Sequence, residues 1–292
     1  MTEDLAALKA RRHKAMMQGS FRLCVMALLV YVILGVLLYT FQRSFLYPGT
    51  YLPPVGTPSQ EGIKGLVDLR FPTADGLEGH AWYAPARDAG KPVILFLHGN
   101  GITIKSFYPK AKIYLDKGYG AFLCEYRGFG GRPGKPTEDG LYIDADACLA
   151  ALKEQGHAAP EVVYLAESLG TGIAVNLSVK NPPRALILET PYSSVVDVAK
   201  LNYGWYPVDW MLEDKFDSIS RIEKVKTRIL IVHGNADGVI PFGEGKRLFD
   251  KAGQPKELHA IARGGHNDLY YYGAGDIITG WLDKLVKEDK AQ

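Results

Sequence analysis

Apolar residues along this chain form one long run near the N-terminus and a series of short runs after it. The short runs have the length of buried strands: Val93–Leu97, Ala121–Tyr126, Glu161–Leu165, Ala185–Glu189, Arg228–Val232 and Leu258–Ala262. Helical stretches such as the amphipathic Glu138–Glu154 separate them, and an alternating hairpin at 66–83 precedes them. This order predicts an α/β fold, with a mostly parallel central sheet and helices on both faces.

The long run extends from Leu23 to Gln42 without a charged residue. As a helix rising 1.5 Å per residue, it is long enough to cross a hydrocarbon core of about 30 Å. The alternatives are a cleaved signal peptide and a buried core helix. A cleaved signal peptide normally ends in a small-residue site such as Ala-x-Ala, which is missing here. A buried helix would seldom lie beside a basic cluster, so we favour an uncleaved anchor.

These patterns divide the chain into four predicted parts. Residues 1–20 form a short basic tail, 21–42 a transmembrane anchor, 43–60 a proline-rich extended linker, and 61–292 the α/β domain. Five Lys or Arg residues precede the core of the span, and only Arg43 directly follows it. The excess of positive charge predicts a cytoplasmic N-terminus and a folded domain on the outer side, which is the periplasm if the source is bacterial.

The charge of the chain is unevenly distributed. Residues 1–43 carry six Lys or Arg and two acidic residues, a net charge of +4. Since the whole chain of 292 residues carries +2, the remainder carries −2. Nucleic-acid binding relies on a basic face, so a slightly acidic folded part argues against it.

The three cysteines, Cys24, Cys124 and Cys148, cannot all be paired within one chain. We predict that they are buried small hydrophobic residues, with a Cys124–Cys148 disulfide as the less favoured alternative. No C-x-x-C motif or His/Cys cluster indicates a metal site.

A short segment around Ser168 predicts the chemistry of the chain. Ala166-Glu167-Ser168-Leu169-Gly170 joins a predicted strand to an apolar helical stretch. Small-x-Ser-x-Gly at such a junction is typical of a nucleophile elbow, a turn that strains the serine backbone and exposes its hydroxyl. Ala166 stands where glycine is usual, and we expect it to be tolerated. The alternative is a helix start with Ser168 as its N-cap.

A serine nucleophile needs a general base, because its hydroxyl is a weak nucleophile at its own pKa. In α/β folds such partners come from loops that follow strands. His266 follows the last predicted strand in a glycine-rich loop, and we predict that it is the base. His98 and His233 also end strands. However, His98 precedes Ser168 and His233 precedes the candidate acid along the chain, which breaks the expected order of nucleophile, acid and base.

An acidic residue must hold the other nitrogen of the imidazole. Asp237 lies just beyond the strand at 228–232, and we predict that it is this acid. Glu189, at the end of the preceding strand, and Asp268, close to the histidine in sequence, are its rivals. Ser168, Asp237 and His266 then follow one another in the order expected of an α/β hydrolase.

Two further features complete the predicted site. An oxyanion hole needs two backbone N–H groups, which we assign to Leu169 and to Asn100, with Gly101 as the alternative. Residues of about 191–226 lack strand character and form a predicted helical cap. We expect its aromatic residues Trp205, Tyr206 and Trp210 to wall an apolar substrate pocket, or else only to fasten the cap to the core.

Five motifs occur in order along the chain: HGNG at 98–101, EYRGFGG at 125–131, AESLG at 166–170, HGNADGVIP at 233–241 and GGHNDL at 264–269. With them, the segment from about Phe45 onward resembles an α/β-hydrolase-fold serine hydrolase. More closely it resembles the membrane-anchored abhydrolase-domain group, related to lysophospholipases and acyl-protein thioesterases. The resemblance implies hydrolysis of small esters, thioesters or acyl lipids, without a cofactor or a metal.

Other functions fit the sequence less well. The glycine-rich stretch at 128–134 fails as a dinucleotide-binding motif, because Pro133 and Pro136 prevent a helix from starting there. A P-loop also fails, since Gly245-Lys246 is followed by arginine. An amidase or peptidase of the same fold, and a catalytically inert membrane-tethered binding protein, remain the alternatives.

Overall fold

The structure is a computed structural model that describes residues 2–290. It divides into two compact units, one ending at Phe45 and the other, the α/β unit, beginning at Leu46. The first unit is almost entirely one helix, α1 (Thr2–Leu46). Within it, Ala7–Leu46 is long and apolar enough to cross a membrane, with a mean hydropathy of 2.6 in its most apolar stretch.

The start of the α/β unit differs from the extended linker that we expected at 43–60. Helix α1 continues through Leu46, and Pro48–Tyr51 forms a turn of 3-10 helix. Tyr47 is fully buried, and its ring packs edge-on against that of Phe129. This segment is therefore part of the folded unit, because it packs on a loop distant in sequence.

The elements of the α/β unit alternate as the sequence predicts. In chain order they are β1 (Val67–Pro72), β2 (Glu78–Ala84), β3 (Val93–Leu97), α2 (Ile104–Asp116), β4 (Gly120–Glu125), α3 (Glu138–Glu154), β5 (Val163–Glu167), α4 (Leu169–Lys180), β6 (Ala185–Glu189), α5 (Val195–Tyr203), α6 (Val208–Met211), β7 (Arg228–Gly234), α7 (Phe242–Lys251), β8 (Lys256–Ile261) and α8 (Ala274–Lys290). Helix α2 begins at Ile104. The Glu125 carboxylate accepts a hydrogen bond from the Ile104 N–H at 3.1 Å, a long-range cap that local pattern does not reveal.

The eight strands form one sheet in the order β1-β2-β4-β3-β5-β6-β7-β8. Strands β1 and β2 are antiparallel to each other, and β2 is antiparallel to β4. The six strands β3 to β8 are mutually parallel. One apolar layer under α3, α4 and α7 covers one face, and a second under α2 and α8 covers the other. The predicted doubly wound α/β fold is confirmed.

The prediction for the cysteines is wrong in two respects. Cys124 on β4 and Cys148 on α3 are buried, but they are joined in a disulfide, with their Cα atoms 6.1 Å apart. The reason is that α3 packs across the sheet face from which the Cys124 side chain projects. Cys24 is exposed on α1 rather than buried.

The turn between β5 and α4 brings a helix into close contact with the sheet. Ser168 occupies the turn with a left-handed backbone, at a φ of 51°. A Cβ atom added to Gly170 would lie 2.2 Å from the Leu97 carbonyl oxygen, so only glycine fits there. Ala166 pairs with Leu97 and Leu188 inside the sheet and is fully buried. The helix can thus start directly after the serine.

Substitution of Gly170 tests this close approach. We expect Gly170→Ala to lower the free energy of unfolding by about 1–3 kcal/mol, because the new methyl group must push α4 away from β3. Gly280→Ala is the matched control, since a Cβ atom on Gly280 in α8 meets open space. Urea unfolding followed by circular dichroism measures both variants. Equal stability of the two variants would contradict the packing described.

The disulfide gives a second prediction. Because it closes a loop of 24 residues, its loss should cost about 2–4 kcal/mol of unfolding free energy. Urea unfolding with and without reductant measures this cost, and the Cys124→Ala/Cys148→Ala variant should match the reduced wild-type protein. Cys24→Ala serves as the control and should leave the midpoint unchanged. A wild-type midpoint insensitive to reductant would refute the expectation.

Candidate active site

Three loops at the carboxyl edge of the sheet bring Ser168, Asp237 and His266 together. His266 Nε2 lies 3.0 Å from Ser168 Oγ, and His266 Nδ1 lies 2.8 Å from Asp237 Oδ2. With a proton on Nδ1, the imidazole donates to the carboxylate and can accept the serine proton on Nε2. Ser168 is only 8% exposed. The three residues therefore form one continuous hydrogen-bonded chain.

The Asp237 carboxylate is held on both of its oxygen atoms. Oδ1 accepts hydrogen bonds from the backbone N–H groups of Val239 and Ile240, at 2.8 and 2.9 Å. His233 Nε2 lies 3.4 Å from Oδ2, the oxygen that also contacts His266. Burial alone would raise the pKa of Asp237, but hydrogen bonds from His233 and His266 outweigh it and hold the pKa well below its usual range. The carboxylate is therefore a stable anion.

The rival residues have other partners. Glu189 accepts a hydrogen bond from the Tyr270 hydroxyl at 2.5 Å, and Asp268 accepts one from the Gly265 N–H at 2.6 Å. His98 Nε2 contacts the Glu125 carboxylate at 2.9 Å. The structure thus places Asp237, rather than Glu189 or Asp268, against the imidazole of His266.

The loop that contains Asn100 lies directly beside the serine. A Cβ atom added to Gly99 would approach the Ser168 Cβ to 3.4 Å. The Asn100 carbonyl accepts the Gly49 N–H at 2.8 Å, and its Nδ2 donates to the Leu46 carbonyl at 2.9 Å. Leu169 opens α4, where the first N–H groups have no partner within the helix. The assignment of these two N–H groups to an oxyanion hole stays a prediction.

A buried ion cluster behind the serine was not foreseen from the sequence. Lys110 on α2 binds the carboxylates of Glu167 and Glu189, the latter at 2.7 Å. Burial lowers the pKa of Lys110, but the two carboxylates more than compensate and raise it, so the amine stays charged. Glu167 and Glu189 are register partners at the ends of β5 and β6. Their proximity could have been inferred from the sheet order, whereas nothing in the sequence marks Lys110.

This cluster and His266 line a cavity of about 10 Å³, which has room for about one water molecule. Its walls also include Thr190, Asn267 and Tyr270. Within residues 2–290, no three His, Cys, Asp or Glu side chains are grouped as metal ligands. This cavity is therefore small, and most of the side chains that line it are polar.

The three cap aromatics lie in different environments. Trp205 is 72% exposed and Trp210 is 88% exposed, whereas Tyr206 is buried. None of the three lines the cavity beside His266. Their contact with substrate stays a prediction, and the two tryptophans are largely exposed.

Relatives of this chain are found among α/β hydrolases. The family model of the serine aminopeptidases, S33, matches residues 88–211. An uncharacterized protein of Mycobacterium tuberculosis is 34% identical over 250 residues, which cover 84% of this chain and 88% of that protein. The lysophosphatidylserine lipase ABHD12 of Danio rerio is 34% identical over 234 residues, 72% of this chain and 59% of that protein. Human alpha/beta hydrolase domain-containing protein 17B is 33% identical over 192 residues, 63% of each.

Solved structures agree on the fold. An α/β hydrolase from Vibrio vulnificus superposes with a TM-score of 0.66 at 21% identity, covering 85% of this chain and 92% of that one. An esterase from Pyrococcus furiosus superposes with a TM-score of 0.64 at 15% identity, covering 80% and 96%. This chain therefore belongs to the abhydrolase-domain group of the α/β-hydrolase family and is a serine hydrolase.

Proposed function

We propose that this protein is a membrane-anchored serine hydrolase that cleaves carboxylic ester or thioester bonds of small or acyl-chain substrates. The observation that carries the proposal is the position of His266, whose two ring nitrogens reach Ser168 and Asp237. A hydroxyl, an imidazole and a carboxylate that are hydrogen-bonded in this order provide a nucleophile, a base and an orienting anion.

Acyl transfer to the enzyme is the first half of the proposed reaction. Ser168 Oγ bonds to the substrate carbonyl carbon while its proton passes to His266 Nε2, and the Asp237 carboxylate stabilises the resulting imidazolium. The N–H groups of Leu169 and Asn100 donate to the oxyanion. The intermediate then breaks its bond to the alcohol or thiol, which leaves with the proton from His266. The acyl group remains on Ser168.

Water completes the cycle by the same proton movements. His266 takes a proton from water, the hydroxide bonds to the acyl carbon, and Ser168 leaves with the proton returned by the imidazole. Apart from substrate and water, every group that takes part in these steps belongs to the protein chain. The proposal includes neither a cofactor nor a metal.

Named relatives support an ester substrate. The ABHD12 relative is a lysophosphatidylserine lipase, and the Pyrococcus neighbour is an esterase. An amphiphile with one acyl chain is our preferred substrate class, because an anchor would hold the site near lipids. The description of the matching family model as serine aminopeptidases keeps an amidase or peptidase as the second candidate.

Anchoring and orientation are part of the proposal. The apolar helix supports a single membrane span, and the basic residues before it support a cytoplasmic N-terminus. The Cys124–Cys148 disulfide supports an α/β unit on the outer side, since disulfides persist in oxidising compartments and are rare in the cytosol.

Replacement of the nucleophile tests the reaction. We expect Ser168→Ala to lower the turnover of p-nitrophenyl butyrate by a factor on the order of 10⁶. Ser178→Ala is the matched control, because Ser178 is a fully buried serine of the same helix α4. This control should retain wild-type turnover. Comparable activity of the two variants would exclude Ser168 as the nucleophile.

A series of p-nitrophenyl esters from acetate to palmitate tests the acyl preference. If the enzyme binds an acyl chain, kcat/KM should rise with each added CH₂ group, since burying one contributes about 0.8 kcal/mol. The rise should stop at the length that the site can cover. The Ser168→Ala variant provides the background rate. A flat profile would remove the case for an acyl-binding site.

A further inference from the structure

Exposed large apolar side chains of the α/β unit are concentrated at one edge. Among residues 46–290, as far as described, eight such side chains are exposed: Tyr51, Val67, Leu201, Tyr203, Trp205, Trp210, Val239 and Tyr271. Val67 lies on the antiparallel strand β1, remote from the loops of the site. Six of the other seven lie after the carboxyl ends of β6, β7 and β8, and Tyr51 lies in the 3-10 turn whose Gly49 contacts the loop after β3. We call these seven the apolar rim.

Two members of the rim are close in sequence to the reacting groups. Val239 follows Asp237 by two residues in the loop after β7, and its N–H binds the Asp237 carboxylate. Tyr271 follows His266 by five residues in the loop after β8 and is 86% exposed. These two side chains therefore belong to the same loops as Asp237 and His266.

Four members belong to the cap, which is fixed over the same edge. Leu201, Tyr203, Trp205 and Trp210 lie on or between α5 and α6. The cap is tied down by Glu138, the first residue of α3, whose Oε2 accepts the N–H groups of Lys215 and Phe216 at 2.7 and 2.9 Å. Helix α3 begins after the loop that leaves the carboxyl end of β4. The cap is thus attached to the start of α3, on the side of the sheet where β4 ends.

The polypeptide also enters the α/β unit at this edge. Leu46, the last residue of α1, binds Asn100 through its carbonyl, and Gly49 binds the Asn100 carbonyl. Asn100 lies in the loop after β3. Leu46 follows the predicted span at 21–42 by only four residues. The connection along the chain between a membrane span and this edge is therefore short, and Tyr51, also in the rim, lies just after it.

We propose that the apolar rim rests in the interfacial zone of the bilayer that holds the anchor, so that acyl substrates enter the site directly from the membrane. This inference rests on the proposed function. Tryptophan and tyrosine favour the membrane–water interface, where an apolar ring and a polar N–H or O–H are both satisfied. A connection of four residues keeps the point at which the chain enters the α/β unit close to the anchor along the sequence.

Depth-dependent fluorescence quenching of the full-length protein tests the contact. The protein is placed in phosphatidylcholine nanodiscs with lipids that carry a doxyl quencher near the carbonyl or near the chain end. Trp205 and Trp210 report on the rim, while Trp82 is buried and Trp281 lies on α8. We expect the label near the carbonyl to quench the tryptophan emission of the wild-type protein. This quenching should disappear in Trp205→Phe/Trp210→Phe. Unquenched wild-type emission would overturn the proposal. A second copy of the chain that covers the rim in place of lipid would give this result.

A charge placed on the rim tests its role in substrate entry. Leu201→Asp should reduce hydrolysis of p-nitrophenyl palmitate dissolved in the nanodisc about fivefold, because an interfacial anion weakens contact with the apolar zone. Val67→Asp is the matched control, since Val67 is 53% exposed and Leu201 58%. It should retain the wild-type rate. Hydrolysis of water-soluble p-nitrophenyl acetate by the same samples should be unchanged in both variants.

The two substrates separate the possible failures. If wild-type protein does not hydrolyse p-nitrophenyl acetate, the proposed esterase function is wrong. If it does, and Leu201→Asp matches Val67→Asp on the bilayer substrate, the docking of the rim is wrong. A loss of both activities in Leu201→Asp would also overturn the proposal, because it would assign Leu201 to the folded core or the reaction instead of to the membrane contact.

Discussion

The contact between the start of α4 and the end of β3 is the constraint on which the site depends. Because Gly170 has no side chain, the helix begins directly over the Leu97 carbonyl, and the chain must reverse within one residue. Ser168 takes the left-handed conformation that this reversal requires. Such a conformation costs of order 1–3 kcal/mol, so it persists only where surrounding packing imposes it. Here the imposing structure is the centre of an eight-stranded sheet, and the result is a hydroxyl directed towards His266.

Charge is distributed around this turn so that a single anion faces the imidazole. Three carboxylates lie at or just after the ends of neighbouring strands: Glu167 ends β5, Glu189 ends β6 and Asp237 lies in the loop after β7. The Lys110 ammonium binds the first two. Asp237 instead receives two backbone N–H groups and two histidines, which keep it ionised and fix its orientation. An imidazolium formed during acyl transfer would be stabilised from the Asp237 side, while the Lys110 ammonium offsets one of the two negative charges of Glu167 and Glu189.

The sequence predicts those features that local pattern or strand order determines. The strands, the elbow around Ser168 and the loops of Asp237 and His266 could be located because apolar runs and glycine-rich turns are local signals. Features that need distant packing could not. The capping of Ile104 by Glu125, the pairing of Cys124 with Cys148 and the position of Lys110 all depend on how helices settle on the sheet. The exposure of the cap tryptophans was missed for the same reason, since an aromatic cluster alone does not reveal which side faces outward.

The central claim is that Ser168 is the activated nucleophile, and covalent labelling tests it most directly. The full-length protein is treated with a fluorophosphonate, digested with trypsin and analysed by tandem mass spectrometry. We predict one adduct in the peptide 154–180, located on Ser168 rather than on Ser178, and no adduct in Ser168→Ala. An adduct on another residue, or equal labelling of Ser168→Ala, would contradict it.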